Sequence, residues 1–373
     1  MKITAISTAM VSVPYRIATT WSKGSGRRTF NLIVRIETDD GLIGWGESVG
    51  SSVHNAKNLV DREFAPLLLG ENPVNYARIR NKLELALDYL PGANWAFSGV
   101  EMALSDLKGQ VSGLNVVDLL GGRLTDSVEY IGYVFIDTPE VNAAQAKAFV
   151  EHGHSTLKMK IGRDIAADET RLKAVRDAVG KKITIRVDTN AAWTREDAVK
   201  NIDRLSQYDI EYVEQPLSRW DIEGLAELRL KSRIPIAADE SCGTFRDAVG
   251  LIAARACDIL VVYVSQAGGM FEAKRIADFA AEKGVRCVMG SASELGIATL
   301  AQAYTVASSP GFRGAADTHV HLQEDDVLDP PLALTGGLIR LPAAPGMGVV
   351  VSQQKLARLP VPDRIHGYSL YDE

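Results

Sequence analysis

Two periodicities divide this chain. Over the first 50 or so residues apolar and polar positions alternate, in MKITAISTAMVSV and again in NLIVRIETDDGLIGWGE, the period of half-buried strands. Asp40-Gly41 predicts a hairpin turn there, and WSKGSGRR predicts a loop between the two runs. From about 53 to 120 the spacing becomes helical. In FSGVEMALSDLKGQVSG, Val100, Ala103, Leu104 and Leu107 form one packing face, and the glycines of DLLGG stop the stretch. From about 128, short apolar runs alternate with amphipathic helices such as DETRLKAVRDAVG and MFEAKRIADFAAEKG. Strands are predicted near 129–135, 155–161, 184–189, 210–214, 234–239, 258–264, 285–290 and 314–318. Eight strands in βα alternation predict a (β/α) barrel behind an N-terminal α+β domain. A doubly wound nucleotide-binding sheet is disfavoured, because no GxGxxG follows the first strand. The closing segment GLIRLPAAPGMGVVVSQQKLARL has no barrel position left. It is expected to return to the N-terminal domain.

Composition narrows the partners. The chain has 373 residues, room for a barrel of about 250 residues and a smaller domain. A formal charge of −6 argues against nucleic acid or an anionic membrane, both of which call for a basic field. No apolar run approaches the roughly 20 residues that span a bilayer, and the N-terminus lacks a signal-type apolar core. Cys242, Cys257 and Cys287 have no metal-type spacing, so a reduced, cytoplasmic setting is expected. The six histidines form no HExxH.

Candidate chemistry lies at the ends of the predicted strands. Asp188 in ITIRVDTN, Glu214 in IEYVEQP and Asp239 in IPIAADES are 26 and 25 residues apart, about one strand-plus-helix unit. A closed barrel brings such strand ends to one mouth. Three carboxylates there repel one another unless a cation joins them, and hard oxygen ligands suit Mg²⁺. One strand earlier, LKMKIG places Lys158 and Lys160 on the same strand face. An ordinary lysine pKa near 10.4 is too high for a base at neutral pH, but a second ammonium and a divalent cation disfavour the charged form. Asn190 could orient a substrate or a metal-bound water, and Glu240 could pair with a lysine or approach the metal from behind its ligands. Together these groups suggest removal of a proton α to a substrate carboxylate, with the developing charge stabilised by the metal.

These motifs resemble the enolase superfamily, specifically its muconate-lactonising subgroup. LKMKIG at 157–162, VDTNAAW at 187–193, EYVEQPL at 211–217 and IAADES at 236–241 carry the resemblance. GWGE, VVDLLGG, SQAGGM and GSASELGIA extend it over essentially the whole chain. The resemblance implies an α+β capping domain plus a modified TIM barrel, (β/α)7β. The expected divisions are a capping domain over 1–125, the barrel over 126–335 and a return segment over 336–373. It implies Mg²⁺ on Asp188, Glu214 and Asp239, Lys160 as the acid–base residue and Lys158 as its electrostatic partner near the substrate carboxylate. Glu294 matches a carboxylate that lines the pocket. The loop from Tyr15 to Arg28, with Trp21, Lys23 and Arg28, and the residues from Ser48 to His54 would choose the substrate. A homo-oligomer, dimer or octamer, is also implied.

The chain departs from the subgroup at two places. Where a second lysine is usual on the sixth strand, counting back from Gly268-Gly269 puts Tyr263. Its ordinary pKa near 10 and neutral form make it a weaker proton carrier. Dipeptide-epimerising relatives carry two aspartates on the eighth strand that hold the substrate's ammonium. This chain matches them at Asp317 and has His319 at the other, which could bind a hydroxyl or a second carboxylate, or act as an acid. His321 continues the same alternation. The expected activity is cycloisomerisation of a small carboxylic acid, for which one acid–base lysine suffices. The alternatives are dehydration of a hydroxy acid by syn elimination, epimerisation of an amino-acid derivative with Tyr263 in the second role, or carboxylate binding without turnover.

Overall fold

The computed structural model describes residues 1–49 and 52–361 and the backbone of 368 and 369. Three antiparallel strands open the chain: β1 (Ile3–Trp21), β2 (Gly24–Thr38) and β3 (Ile43–Val49). Their inner face packs on the helix Ala93–Ser112, in which Val100, Ala103, Leu104 and Leu107 are all buried. The GWG of GWGE has a steric reason. A Cβ at Gly44 would overlap the Ala103 carbonyl oxygen, and one at Gly46 the carbonyl oxygen of Gly99. The glycines let strand and helix backbones touch.

WSKGSGRR is not a loop. β1 and β2 continue as a paired ribbon to Trp21 and Gly24, leaving only Ser22 and Lys23 to turn. Glycines and arginines hide the alternation in sequence, while a register shift between Pro14 and Thr19 bends the ribbon. The tip is tied to the barrel: Ser22 Oγ donates to the Thr189 carbonyl at 2.7 Å and Arg163 Nε to the Trp21 carbonyl at 3.1 Å.

The barrel strands follow a short strand β4 (Ser127–Glu129). They are β5 (Gly132–Val134), β6 (Thr156–Lys160), β7 (Thr184–Asp188), β8 (Ile210–Glu214), β9 (Ile236–Ala238), β10 (Ile259–Val262) and β11 (Arg286–Met289). All seven pair in parallel in sequence order. The main core takes alternate strand residues, such as Leu157, Met159, Ile185 and Val187, while Tyr212, Ala237, Ile259, Val261 and Val288 on the opposite face form a smaller cluster.

The predicted eighth strand, 314–318, is an irregular closing segment. Cys287 N–H donates to the Gly311 carbonyl, Asp317 N–H to the Met289 carbonyl and Ala316 N–H to the Glu129 carbonyl, at 2.7 to 2.9 Å. These bonds join β11 to the start of the sheet, but Gly314 at φ +91° breaks the pleat between them. A side chain there would meet the Arg186 guanidinium. After the barrel, β12 (Leu338–Arg340) pairs antiparallel with β4. The chain then reaches the first domain, where Ser12 N–H donates to the Leu359 carbonyl. Residues 362–367 and 370–373 of the expected return segment lie outside the described residues, as do Gly50 and Ser51.

Candidate active site

Register builds the acidic cluster. Lys160 pairs across the sheet with Asp188, and Asp188 with Glu214, so the three end their strands in one row. Asp239 comes one residue after β9. Ligand oxygens of Asp188, Glu214 and Asp239 all lie within 4.8 Å of one another. Gln215 fixes the third: its side-chain oxygen accepts from Asp239 N–H at 2.9 Å and Ser241 N–H at 3.1 Å. Glu214 Oε2 is buried and has no partner among the described residues. Three hard oxygen donors, one of them orphaned, fit a divalent cation.

Both lysines project from one face of β6, and Leu157, Met159 and Ile161 are buried on the other. Lys158 Nζ sits 2.5 Å from Glu214 Oε1, 2.7 Å from Asp317 Oδ2 and 3.4 Å from Asp188 Oδ2. Burial would lower its pKa, but the Asp317 and Glu214 carboxylates outweigh that and raise it well above the ordinary lysine value. It is a fixed ammonium. Lys160 Nζ lies 2.6 Å from Asp188 Oδ2 and 3.2 Å from Asn190 Oδ1, and its side chain reaches the cavity above.

The acids divide by environment. Burial opposes ionisation of Asp188, yet the ammoniums of Lys160 and Lys158 hold it below the usual carboxylate range. Burial first, and then the Asp188 charge, pushes Glu214 well up. Burial and the neighbouring Glu240 do the same to Asp239. Charge of this sign crowded in one place favours a cation.

A cavity of about 550 Å³ opens above this cluster. Its walls come from the barrel mouth, the β1–β2 ribbon and Trp95 of the capping helix.

Residues 3–121 match the mandelate racemase/muconate lactonizing enzyme N-terminal domain, and residues 142–355 the enolase C-terminal domain-like family. The chain belongs to the enolase superfamily. Within it, the chain is 30% identical to the N-succinyl-L-Arg/Lys racemase of Bacillus cereus, covering 97% of this chain and 98% of that one. It is 31% identical to muconate cycloisomerase 1 of Pseudomonas putida, over 88% and 89%. The crystal structure of a dipeptide epimerase from Enterococcus faecalis, complexed with Mg and L-Leu-L-Tyr, superposes with a TM-score of 0.88 at 32% identity, covering 94% of this chain and 99% of that one. These superfamily relatives are isomerases, and this chain is an enzyme of the same superfamily.

The superfamily scaffold sorts the other expected residues. Trp21, Lys23, Arg28, Asn190, Tyr263 and His319 line the cavity. Tyr263 OH donates to Asp239 Oδ2 at 3.1 Å. Burial and the Asp239 charge push its pKa well above 10, so the phenol stays protonated. Asp317 and Glu294 do not line the cavity. Asp317 is buried beneath it, accepting from Lys158 and from Tyr133 OH at 3.1 Å, which leaves it poorly placed to take a substrate ammonium. Glu294 accepts from Ser291 Oγ at 2.5 Å and Ala292 N–H at 2.9 Å. His319 stacks on Tyr133 with ring centroids 4.5 Å apart. Burial, then the charge on Lys160, drives its pKa well below 6.5, which removes it as an acid near neutral pH. His321 leaves the site because residues 320–322 form a 3-10 turn, and it packs on Phe149 and His154.

Trp95, Arg219, Gln266 and Ser291 also line the cavity, and sequence reasoning did not find them. Ser291 and Gln266 lie inside the quoted GSASELGIA and SQAGGM motifs, a usable signal. Trp95 comes from the capping helix and carries none.

No helix among the described residues is long and apolar enough to cross a membrane, and all three cysteines are free and buried.

Proposed function

We propose that this protein removes or returns the proton α to the carboxylate of a small acid, using Lys160 as its single acid–base group. The observation that carries the reading is Lys160 Nζ, which reaches the cavity 2.6 Å from Asp188, while Tyr263 offers only a protonated hydroxyl already given to Asp239. Asp188, Glu214 and Asp239 would hold Mg²⁺, which supplies positive charge for the developing enolate. Lys158 adds a fixed ammonium to the same region. Asn190 steadies the Lys160 ammonium, and Trp21, Lys23 and Arg28 hold the distal part of the substrate from the ribbon. Proton transfer confined to one face suits cycloisomerisation first, and syn β-elimination of a hydroxy acid as its alternative.

Epimerisation is a second reading, favoured by the likeness to a racemase and a dipeptide epimerase. It requires Tyr263 to exchange a proton on the opposite face.

Incubating the Mg²⁺-loaded protein with a library of carboxylic acids in D₂O tests the proposal. One-base chemistry exchanges the α-proton with retention, whereas a working Tyr263 gives exchange with inversion. Acids that bind without exchange or turnover would reduce the protein to a carboxylate-binding module.

A further inference from the structure

His319 meets a serine whose hydrogen-bonding capacity is already assigned. Ser291 Oγ donates its one hydrogen to Glu294 Oε2, 2.5 Å away, and both oxygens of that carboxyl group also accept Ala292 N–H. Ser293 N–H, at 3.4 Å, takes one lone pair of the hydroxyl oxygen. What remains for His319 Nδ1, 2.9 Å away, is the other lone pair. A lone pair can only accept, so Nδ1 carries the ring hydrogen. A neutral imidazole protonated at Nδ1 is bare at Nε2. Among the described residues the ring's hydrogen bond is the one at Nδ1, and His319 lines the cavity. The ring rests on Tyr133, whose centroid lies 5.8 Å from Lys160 Nζ, so the acceptor and the base share one wall.

We infer that Glu294 and Ser291 lock His319 as an acceptor that selects substrates bearing an O–H or N–H donor beside the reacting carbon. The inference rests on the cavity being the enolising site. Glu294 is a positioning residue acting through Ser291. A neutral acceptor repels a second carboxylate, so of the roles expected for His319 only the binding of a donor survives.

Two measurements test this, and neither needs turnover. In ¹⁵N-histidine-labelled full-length protein, two-bond ¹H–¹⁵N correlation reports which ring nitrogen is protonated, and His319→Gln identifies the signals by their loss. The expected result is hydrogen on Nδ1, with Ser291→Ala shifting the ring toward the Nε2–H form. Hydrogen on Nε2 in the resting protein overturns the inference. The second measurement follows tryptophan fluorescence of the Mg²⁺-loaded protein titrated with 3-hydroxyhexanoate against 3-methoxyhexanoate, and N-acetylnorleucine against its N-methyl form. A matched donor should bind about ten-fold tighter than its methylated partner in at least one pair, the value of one satisfied hydrogen bond. The pair that responds tells a hydroxyl from an amide. The preference should persist in His319→Gln, whose amide oxygen reaches the Nε2 position, and collapse in His319→Asn. Equal binding in both pairs, or a preference unchanged in His319→Asn, overturns the inference. Loss of α-exchange alone would instead defeat the enolising reading.

Discussion

Replacing Lys158 by methionine removes the ammonium that touches three carboxylates while keeping the length of the side chain. Lys158 is 1% exposed, so water cannot take its place. Its shortest contacts, 2.5 Å to Glu214 and 2.7 Å to Asp317, are each worth about 6 kcal/mol of attraction at an effective dielectric near 20. The ammonium's own desolvation offsets much of that. Breaking a buried ion pair from one side costs about 3–5 kcal/mol, and with more than one partner the upper part of that range is expected without metal at neutral pH. The pH dependence has a definite sign. Glu214 and Asp239 have raised pKa values when folded, so the stability they contribute is present below the ordinary carboxylate pKa and is lost as pH rises. Without Lys158 their pKa values rise further. The gap between wild type and Lys158→Met should therefore widen from about pH 5 to about pH 8. Urea unfolding in EDTA at both pH values measures it, and Mg²⁺ should restore part of the loss by entering the same acids. A loss below about 1 kcal/mol, or one independent of pH, would mean that these acids are not a charged cluster.

Lys160→Ala should abolish α-proton exchange while leaving Mg²⁺ affinity within about ten-fold of wild type; normal exchange in that variant would remove the lysine from its role. Tyr263→Phe takes one donor from Asp239 and should lower exchange without ending it, whereas near-complete loss would identify Tyr263 as a proton carrier. Gly46→Ala drives a methyl into the Gly99 carbonyl and should cost about 1–3 kcal/mol or more, read as a lowered melting temperature. An unchanged melting temperature would contradict the close approach of β3 to its helix.

Local patterning carried much of this protein. Alternation and helical spacing marked seven barrel strands and the buried capping helix, because each element must bury an apolar face whatever its neighbours are. The evenly spaced strand-end acids and the Lys158–Lys160 pair were legible for the same reason, since one βα unit per acid and a two-residue period fix which side chains meet. The eighth strand was misread. Its short run looks like a strand, but the backbone turns to φ +91° at Gly314 and leaves the pleat. The ribbon tip was misread in the other direction, as its pairing comes from the partner strand and not from its own residues.

Side-chain direction at the mouth was decided by tertiary structure alone. Asp317 alternates with His319 along the chain, yet Lys158 draws the first beneath the floor while Tyr133 and Ser291 hold the second at the wall. Trp95 arrives from a helix more than 60 residues before the first acid. Sequence determines which groups a strand can offer; the partners of a buried polar group determine where it points, because leaving such a group unsatisfied costs more than turning it.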